Sequence, residues 1–295
     1  MTNSENLRGA LYMMVAMAAF TLNDAAMKVA TETVPLFQAT AMRGTVTTAM
    51  LVFLGFSLGG FGRNISPRDL GLVAVRSVAE IGATLFFLLA LVHMPLANLS
   101  AIMQCLPLAV TLGAALIFRD RIGWRRMLAI AIGFGGVLII LRPGAAGFDE
   151  WSAMGLASVA CVVVRDLATR RLSRDIPSVF VALSSAVAVL AMGLVGMTAT
   201  GVQAVSLHEC VVIAAASVAL IAGYMSGVMA MRVGDIGFIA PFRYTSLVWA
   251  IGLGWMVFGT FPDWLTLLGA GIVIATGIFT LYRERKLAQV RRAAE

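Results

Sequence analysis

A chain of 295 residues that is 60% apolar and only 13% charged, with a mean hydropathy of +0.92, is too apolar for a soluble domain and reads as an integral membrane protein. Its net charge of +7 would suggest nucleic acid in a soluble protein. Here it reports basic loops beside a membrane face, and no nucleic-acid partner is implied. Cys105, Cys161 and Cys210 lie inside apolar runs without metal-site or disulfide spacing, so they read as small helix residues.

Residues 1–7 are polar, and no small-residue cleavage site follows a brief apolar core, so the first span is expected to remain as an anchor. Ten spans follow in order: 7–29, 36–58, 70–92, 96–118, 127–141, 151–167, 177–197, 210–231, 236–259 and 265–282. Helices are the form expected, because hydrocarbon satisfies no backbone polar group and the runs lack the alternation of barrel strands. Turn residues mark the connections: Gly59, Gly60 and Pro67; Pro143 and Gly144; Pro262. Alternate connections and the tails hold sixteen basic residues, against only Lys28 and Arg142 in the other set. The expectation is a multi-pass protein of the cytoplasmic (inner) membrane with both termini cytoplasmic. Trp124, Trp151, Trp264 and Tyr282 sit at span ends, where amphipathic rings favour the headgroup layer.

The chain repeats itself. Asp24, Lys28 and Pro35 return as Asp166, Arg170 and Pro177, each 142 residues on. Ser77 to Ile81 is echoed by Ser217 to Ile221 at 140, and Ala109, Leu112, Gly113 and Gly136 recur at 141 as Ala250, Leu253, Gly254 and Gly277. Two copies result, 7–142 and 151–283, of five spans each. An odd number of crossings makes the second copy enter from the opposite face. The expected fold is therefore an all-α membrane protein of ten helices in two five-helix inverted repeats, the geometry alternating access requires.

The segment 96–141, with PLAVTLGAALIF at 107–118 and DRIGWRR at 120–126, resembles the EamA repeat of the drug/metabolite transporter superfamily. Its matching features are Pro107, expected in mid-helix, the acid Asp120 after the fourth span, and Gly133 and Gly136 in the fifth. The second copy, MVFGTFPDWLTLLGAGIVIATGI at 256–278, resembles the same unit, with one departure: Thr260 stands where that family commonly has an acid. The resemblance implies a ten-helix secondary transporter, similar to carriers of amino acids, riboflavin, S-adenosylmethionine, metallophores and drugs.

Ionisable groups at membrane depth are the functional pointers, because facing lipid costs at least about 2.5 to 3.5 kcal/mol each. Arg76 and Glu80 share a helix face and can pair; Glu80, whose counterpart is the apolar Leu220, breaks the symmetry and is a candidate for substrate or proton binding. Arg243 and Tyr244 suit an anionic or planar polar ligand, with Gln104 near their aligned positions and Tyr224 as a further candidate. The alternative for Arg243 is an ion pair with Glu80 or Asp24. Asp24 with Lys28, and Arg165 and Asp166 with Arg170, recur in both copies and read as structural or gating pairs. Gly55 with Gly59 and Gly223 with Gly227 have the close-approach spacing, which makes a homodimer one reading, although such pairs arise often by chance among 29 glycines.

No Walker-type loop is present, and no H-E-x-x-H; His93 and His208 fall at span ends. The expected function is therefore transport of a small organic metabolite, with riboflavin uptake leading. The alternatives are export of amino acids or amphipathic compounds, an S-adenosylmethionine carrier, and, in another class, a membrane-embedded enzyme. No cofactor, metal or catalytic residue is expected, and the partners are the substrate and the bilayer.

Overall fold

The computed structural model describes residues 3–57, 65–118, 123–142, 149–173, 175–233 and 236–294. The turns at Gly59, Gly60, Pro143 and Gly144, the acid Asp120, and Arg63, Arg119, Arg121 and Arg174 lie outside the described residues. Among the described residues every regular element is helical: α1 (Asn3–Ala30), α2 (Leu36–Ser57), α3 (Pro67–His93), α4 (Leu96–Met103), α5 (Leu106–Phe118), α6 (Trp124–Leu141), α7 (Glu150–Arg170), α8 (Ser178–Thr200), α9 (Leu207–Val233), α10 (Ile236–Ile239), α11 (Thr245–Phe258) and α12 (Trp264–Ala294). Nine stretches among them are long and apolar enough to cross a membrane.

Two expected spans differ from the unbroken helices the hydropathy suggests. The fourth divides at Gln104 and Cys105 into α4 and α5, and the ninth runs through α10, a 3-10 segment (Ala240–Tyr244) and α11. Proline supplies the reason, since it has no N–H for the helical ladder. The chain turns before Pro107 through a tight bond from the Cys105 N–H to the Ile102 carbonyl, 3.1 Å, so Pro107 falls in the first turn of α5 and interrupts nothing. Pro241 opens the 3-10 segment in the same way.

Helix starts keep the repeat spacing. The elements α2 and α8 begin 142 residues apart, and α3 and α9, like α6 and α12, 140 apart. A reciprocal cap recurs with them. The Ser66 hydroxyl receives the Asp69 N–H at 3.1 Å and donates to Asp69 Oδ2 at 2.8 Å. Residues 140 further on, Ser206 and Glu209, cap α9: the Ser206 N–H reaches Glu209 Oε2 at 2.6 Å and the Glu209 N–H reaches Ser206 Oγ at 3.3 Å. Both acids also hold the loop before the next helix of their neighbourhood, Asp69 through the Ser173 N–H and hydroxyl, Glu209 through Thr33.

Contacts group the chain into two compact units, to both of which α1, α7 and α9 contribute. One comprises Asn23–His93 and Met154–Ile221. In it α2 packs along its own counterpart α8. Small residues permit this: a Cβ on Gly193 would lie 2.7 Å from the Ala41 nitrogen, and one on Gly44 3.1 Å from the Leu190 Cα. Gln38 then fastens the start of α2 to the loop after α8, donating to the Gln203 carbonyl at 2.8 Å and accepting from its N–H at 2.9 Å.

The other unit comprises Met1–Leu22, Met94–Ala153 and Ala222–Glu295. Here α6 packs on its counterpart α12, and α4 on α11. Gly136 and Gly269 face each other so closely that a Cβ on either would come within 2.8 Å of the other's carbonyl oxygen. Met13, Ala230 and Ile239 form a buried cluster, covered by Tyr12, Met17 and Phe242. Gly223 lies against the Phe20 ring and Gly227 beside Ala16, so that spacing serves packing on α1 within the chain and lends no support to a homodimer. Gly59, of the other pair, lies outside the described residues.

Polarity is distributed as lipid requires. Phe53, Phe56, Leu116, Val195 and Trp255 are exposed, while Asn23, Gln38, Arg43, Gln104 and Ser217 are buried. Helical threonines such as Thr21, Thr40, Thr111 and Thr280 return their hydroxyls to the carbonyl four residues back, leaving no unmet donor. Thr260, where an acid was the family expectation, donates to the Gly254 carbonyl at 3.2 Å and so closes α11.

Candidate functional site

Glu80 lies in the first unit among charges from three helices. Its Oε2 is 4.0 Å from Arg76 Nη2, one turn away on α3, and its Oε1 is 3.4 Å from Arg165 Nη1 on α7. Arg165 also donates through Nε to Asp166 Oδ1 at 2.9 Å. Arg76 reaches further: its Nε donates to Thr169 Oγ1 at 2.9 Å, and its Nη1 to the Val181 carbonyl at 3.2 Å and the Ser185 hydroxyl on α8. Two guanidiniums and two carboxylates thus meet at partly buried positions, where mutual attraction offsets the desolvation that isolated charges would carry.

A second polar chain runs from α1 to α2 in the same unit. Arg43 Nη1 donates to Asn23 Oδ1 at 3.3 Å, and Asn23 Nδ2 donates to Asp24 Oδ1 at 2.9 Å. The Ser217 hydroxyl contacts the Ile213 carbonyl at 2.9 Å and the Arg43 carbonyl at 3.4 Å. Asp24 and Asp166 therefore have matching local partners: each accepts from the residue before it. This differs from the four-residue pairing the spacing suggests, because the preceding side chain curls back over a shorter path. Lys28 donates to the Leu91 and Val92 carbonyls at the end of α3, joining α1 to α3. Arg170 is exposed at the last turn of α7.

The remaining candidates belong to the second unit. Gln104, buried at the break between α4 and α5, donates through Nε2 to Ser246 Oγ at 2.9 Å, tying the two interrupted spans together. Arg243 is exposed on the 3-10 segment. Tyr244 beside it is buried, its ring lying against Gly277, where any side chain would overlap the hydroxyl. That hydroxyl has no hydrogen-bond partner among the described residues, a costly arrangement that a ligand or water would relieve. Tyr224 is partly exposed and meets the Phe20 ring edge-on at 5.4 Å.

Sequence reasoning passed over Arg43, Thr169, Ser185 and Ser246. A signal existed for two of them: Arg43 is a base at membrane depth, and the 142-residue spacing leads from it to Ser185. Outside the spans, Arg142 at the end of α6 pairs with Asp263, which also caps α12 through the Thr266 N–H at 2.9 Å. The Arg142 hydrogen bond first, then those from Thr266, hold the Asp263 carboxyl at about 2.

Among the described residues no group of His, Cys, Asp or Glu could hold a metal ion. Comparison with known proteins gives a consistent picture. Residues 7–142 match the model of the EamA-like transporter family. The chain is 26% identical over 284 residues to a pseudopaline exporter of Pseudomonas aeruginosa, covering 94% of this chain and 97% of that one. It is 27% identical to a riboflavin transporter of Vibrio cholerae, covering 97% of both, and 23% identical to an S-adenosylmethionine uptake transporter of Rickettsia conorii over 65% of each. A solved crystal structure shares the fold with a TM-score of 0.64 at 19% identity, covering 95% of this chain and 98% of the other. The helical membrane architecture and these similarities together identify the chain as a transporter, not an enzyme, and it belongs to the EamA-like transporter family.

Proposed function

We propose that the protein is a secondary transporter of the inner membrane, termini in the cytoplasm, working by alternating access between inverted repeats 7–142 and 151–283, and that it takes up riboflavin. The observation that carries this reading is the pair of interrupted helices. Transporters bind substrate where helices are broken, because unwound backbone and half-helix ends supply polar groups at membrane depth. Here Gln104 joins the two breaks through Ser246, and Arg243 and the unpartnered Tyr244 hydroxyl stand on the second of them. A forked guanidinium beside a tyrosine suits a planar ring system with carbonyl acceptors. The similarity to a riboflavin transporter over 97% of both chains supports the same substrate class.

Growth of a riboflavin auxotroph on low external riboflavin tests the reading. The intact protein should restore growth, and failure with the protein present in the membrane would sink the substrate. Arg243→Ala should abolish uptake without lowering folded yield, since the side chain is exposed; a loss of yield reassigns it to the scaffold. Coupling to protons through Glu80 is part of the proposal, and uptake into proteoliposomes that ignores an imposed pH gradient removes it. A second reading, export of a metallophore, rests on the similarity to the pseudopaline exporter over 94% of the chain. Efflux of such a compound from loaded vesicles, with riboflavin inert, would select it.

A further inference from the structure

The first turn of α6 and the Arg283 region of α12 enclose a cavity of about 160 Å³, lined by Gly123, Trp124, Arg125, Arg126 and Arg283. Three guanidiniums line it and no carboxylate does. Its charge is therefore uncompensated by its own walls, and an anion is the chemistry that fits. Arg283 Nε is buried with no hydrogen-bond partner among the described residues. The Arg125 guanidinium carbon lies 5.3 Å from the centroid of the Trp124 ring, a cation–π contact that orients this side chain at the rim. Gly123 leaves the entrance open, since a Cβ there would meet nothing within 4 Å.

Two features distinguish a lipid from a soluble anion. Trp124 is 71% exposed at the end of a membrane helix, the position of an interfacial anchor. From it an apolar exposed stripe continues along α6 through Leu128, Ile132 and Leu138, one turn to two turns apart. A headgroup in the cavity would lay its acyl chain on that stripe. We infer that this cavity binds the phosphate of an anionic phospholipid, with Arg125, Arg126 and Arg283 holding the headgroup and the exposed face of α6 carrying the chain. The site lies on the face whose connections are richest in arginine, where anionic lipid adds to local attraction. It clasps the ends of the two helices that meet at Gly136 and Gly269, so a bound lipid stabilises that pair.

The full-length protein is reconstituted in phosphatidylcholine nanodiscs with and without phosphatidylglycerol, then released for native mass spectrometry and melted in parallel. Wild type should retain phosphatidylglycerol adducts and melt higher in its presence. Each arginine removed should weaken retention about fivefold, and the Arg126→Gln/Arg283→Gln pair about thirtyfold. Arg8→Gln, an exposed base of α1 outside the cavity, should change nothing. Should the pair fail to fold, Arg125→Gln, whose side chain is exposed, must still lose about fivefold. Equal retention by wild type and cavity variants overturns the inference. So does inorganic phosphate that displaces the adducts and raises the melting temperature without lipid, since the ligand is then a free phosphate.

Discussion

The contact between Gly136 and Gly269 permits a test in which neighbouring residues serve as each other's control. A Cβ on Gly136 would lie 2.8 Å from the Gly269 carbonyl oxygen and 3.0 and 3.1 Å from Ile272 side-chain atoms. A Cβ on Gly135 would meet nothing within 4 Å. Both substitutions to alanine gain about 1 kcal/mol of helix propensity. Only Gly136→Ala must also push apart two backbones, and a carbonyl oxygen cannot rotate away as a side chain end can. Overpacking of this kind costs about 1 to 3 kcal/mol. Because the propensity gain is common to both, the stability gap between Gly135→Ala and Gly136→Ala is that same about 1 to 3 kcal/mol, or several degrees in melting temperature. On α12, Gly271→Ala is open and Gly269→Ala meets the Gly136 carbonyl oxygen at 2.6 Å, so the pattern should repeat. The Gly136→Ala/Gly269→Ala double variant should lose less than the sum, since one helix separation serves both. Melting of detergent-purified variants by fluorescence-detected size exclusion reads these shifts. Equal melting of Gly135→Ala and Gly136→Ala, or the reverse order, would refute the close packing of α6 on α12.

Other expectations follow from the polar contacts. Ser66→Ala and Ser206→Ala each remove a reciprocal cap and should each lower stability by about 0.5 to 2 kcal/mol in chemical denaturation; Asp69→Ala should exceed Ser66→Ala, because Asp69 also holds Ser173 through two bonds. Glu80→Gln should be more destabilising alone than together with Arg165→Gln, as the single change leaves a partly buried guanidinium short of its carboxylate; additive losses in that double-mutant cycle would dissolve the pair. For Asp263 the folded value, about 2, lies below the ordinary 3.8. Its stabilisation is therefore full above about pH 4 and lost as pH falls toward 2. Melting temperature followed across that window should drop less for Asp263→Asn than for wild type, by a small amount because the pair is half in solvent.

Membrane class, helical form and the number of long spans were legible in the sequence because they depend on local quantities: the length of apolar runs and the need of each backbone to satisfy itself in hydrocarbon. The spacings of 140 to 142 residues carried the duplication, and the duplicated cap at Ser66 and Ser206 was readable from the same arithmetic although only the structure drew notice to it. The pair Arg76 and Glu80 was also readable, since four residues on one helix fix the distance. What tertiary structure alone decided were partners across long stretches of chain. Arg76 meets Thr169 and Ser185, Arg165 reaches Glu80, and Gln104 finds Ser246, through separations of 85 to 142 residues that no local pattern encodes. The breaks at Gln104 and before Thr245 belong to the same class: hydropathy sees an unbroken apolar run, whereas the backbone answers to proline. Burial by lipid leaves a strong one-dimensional signal because the solvent acts on every residue separately, while pairing depends on which helices the fold brings together.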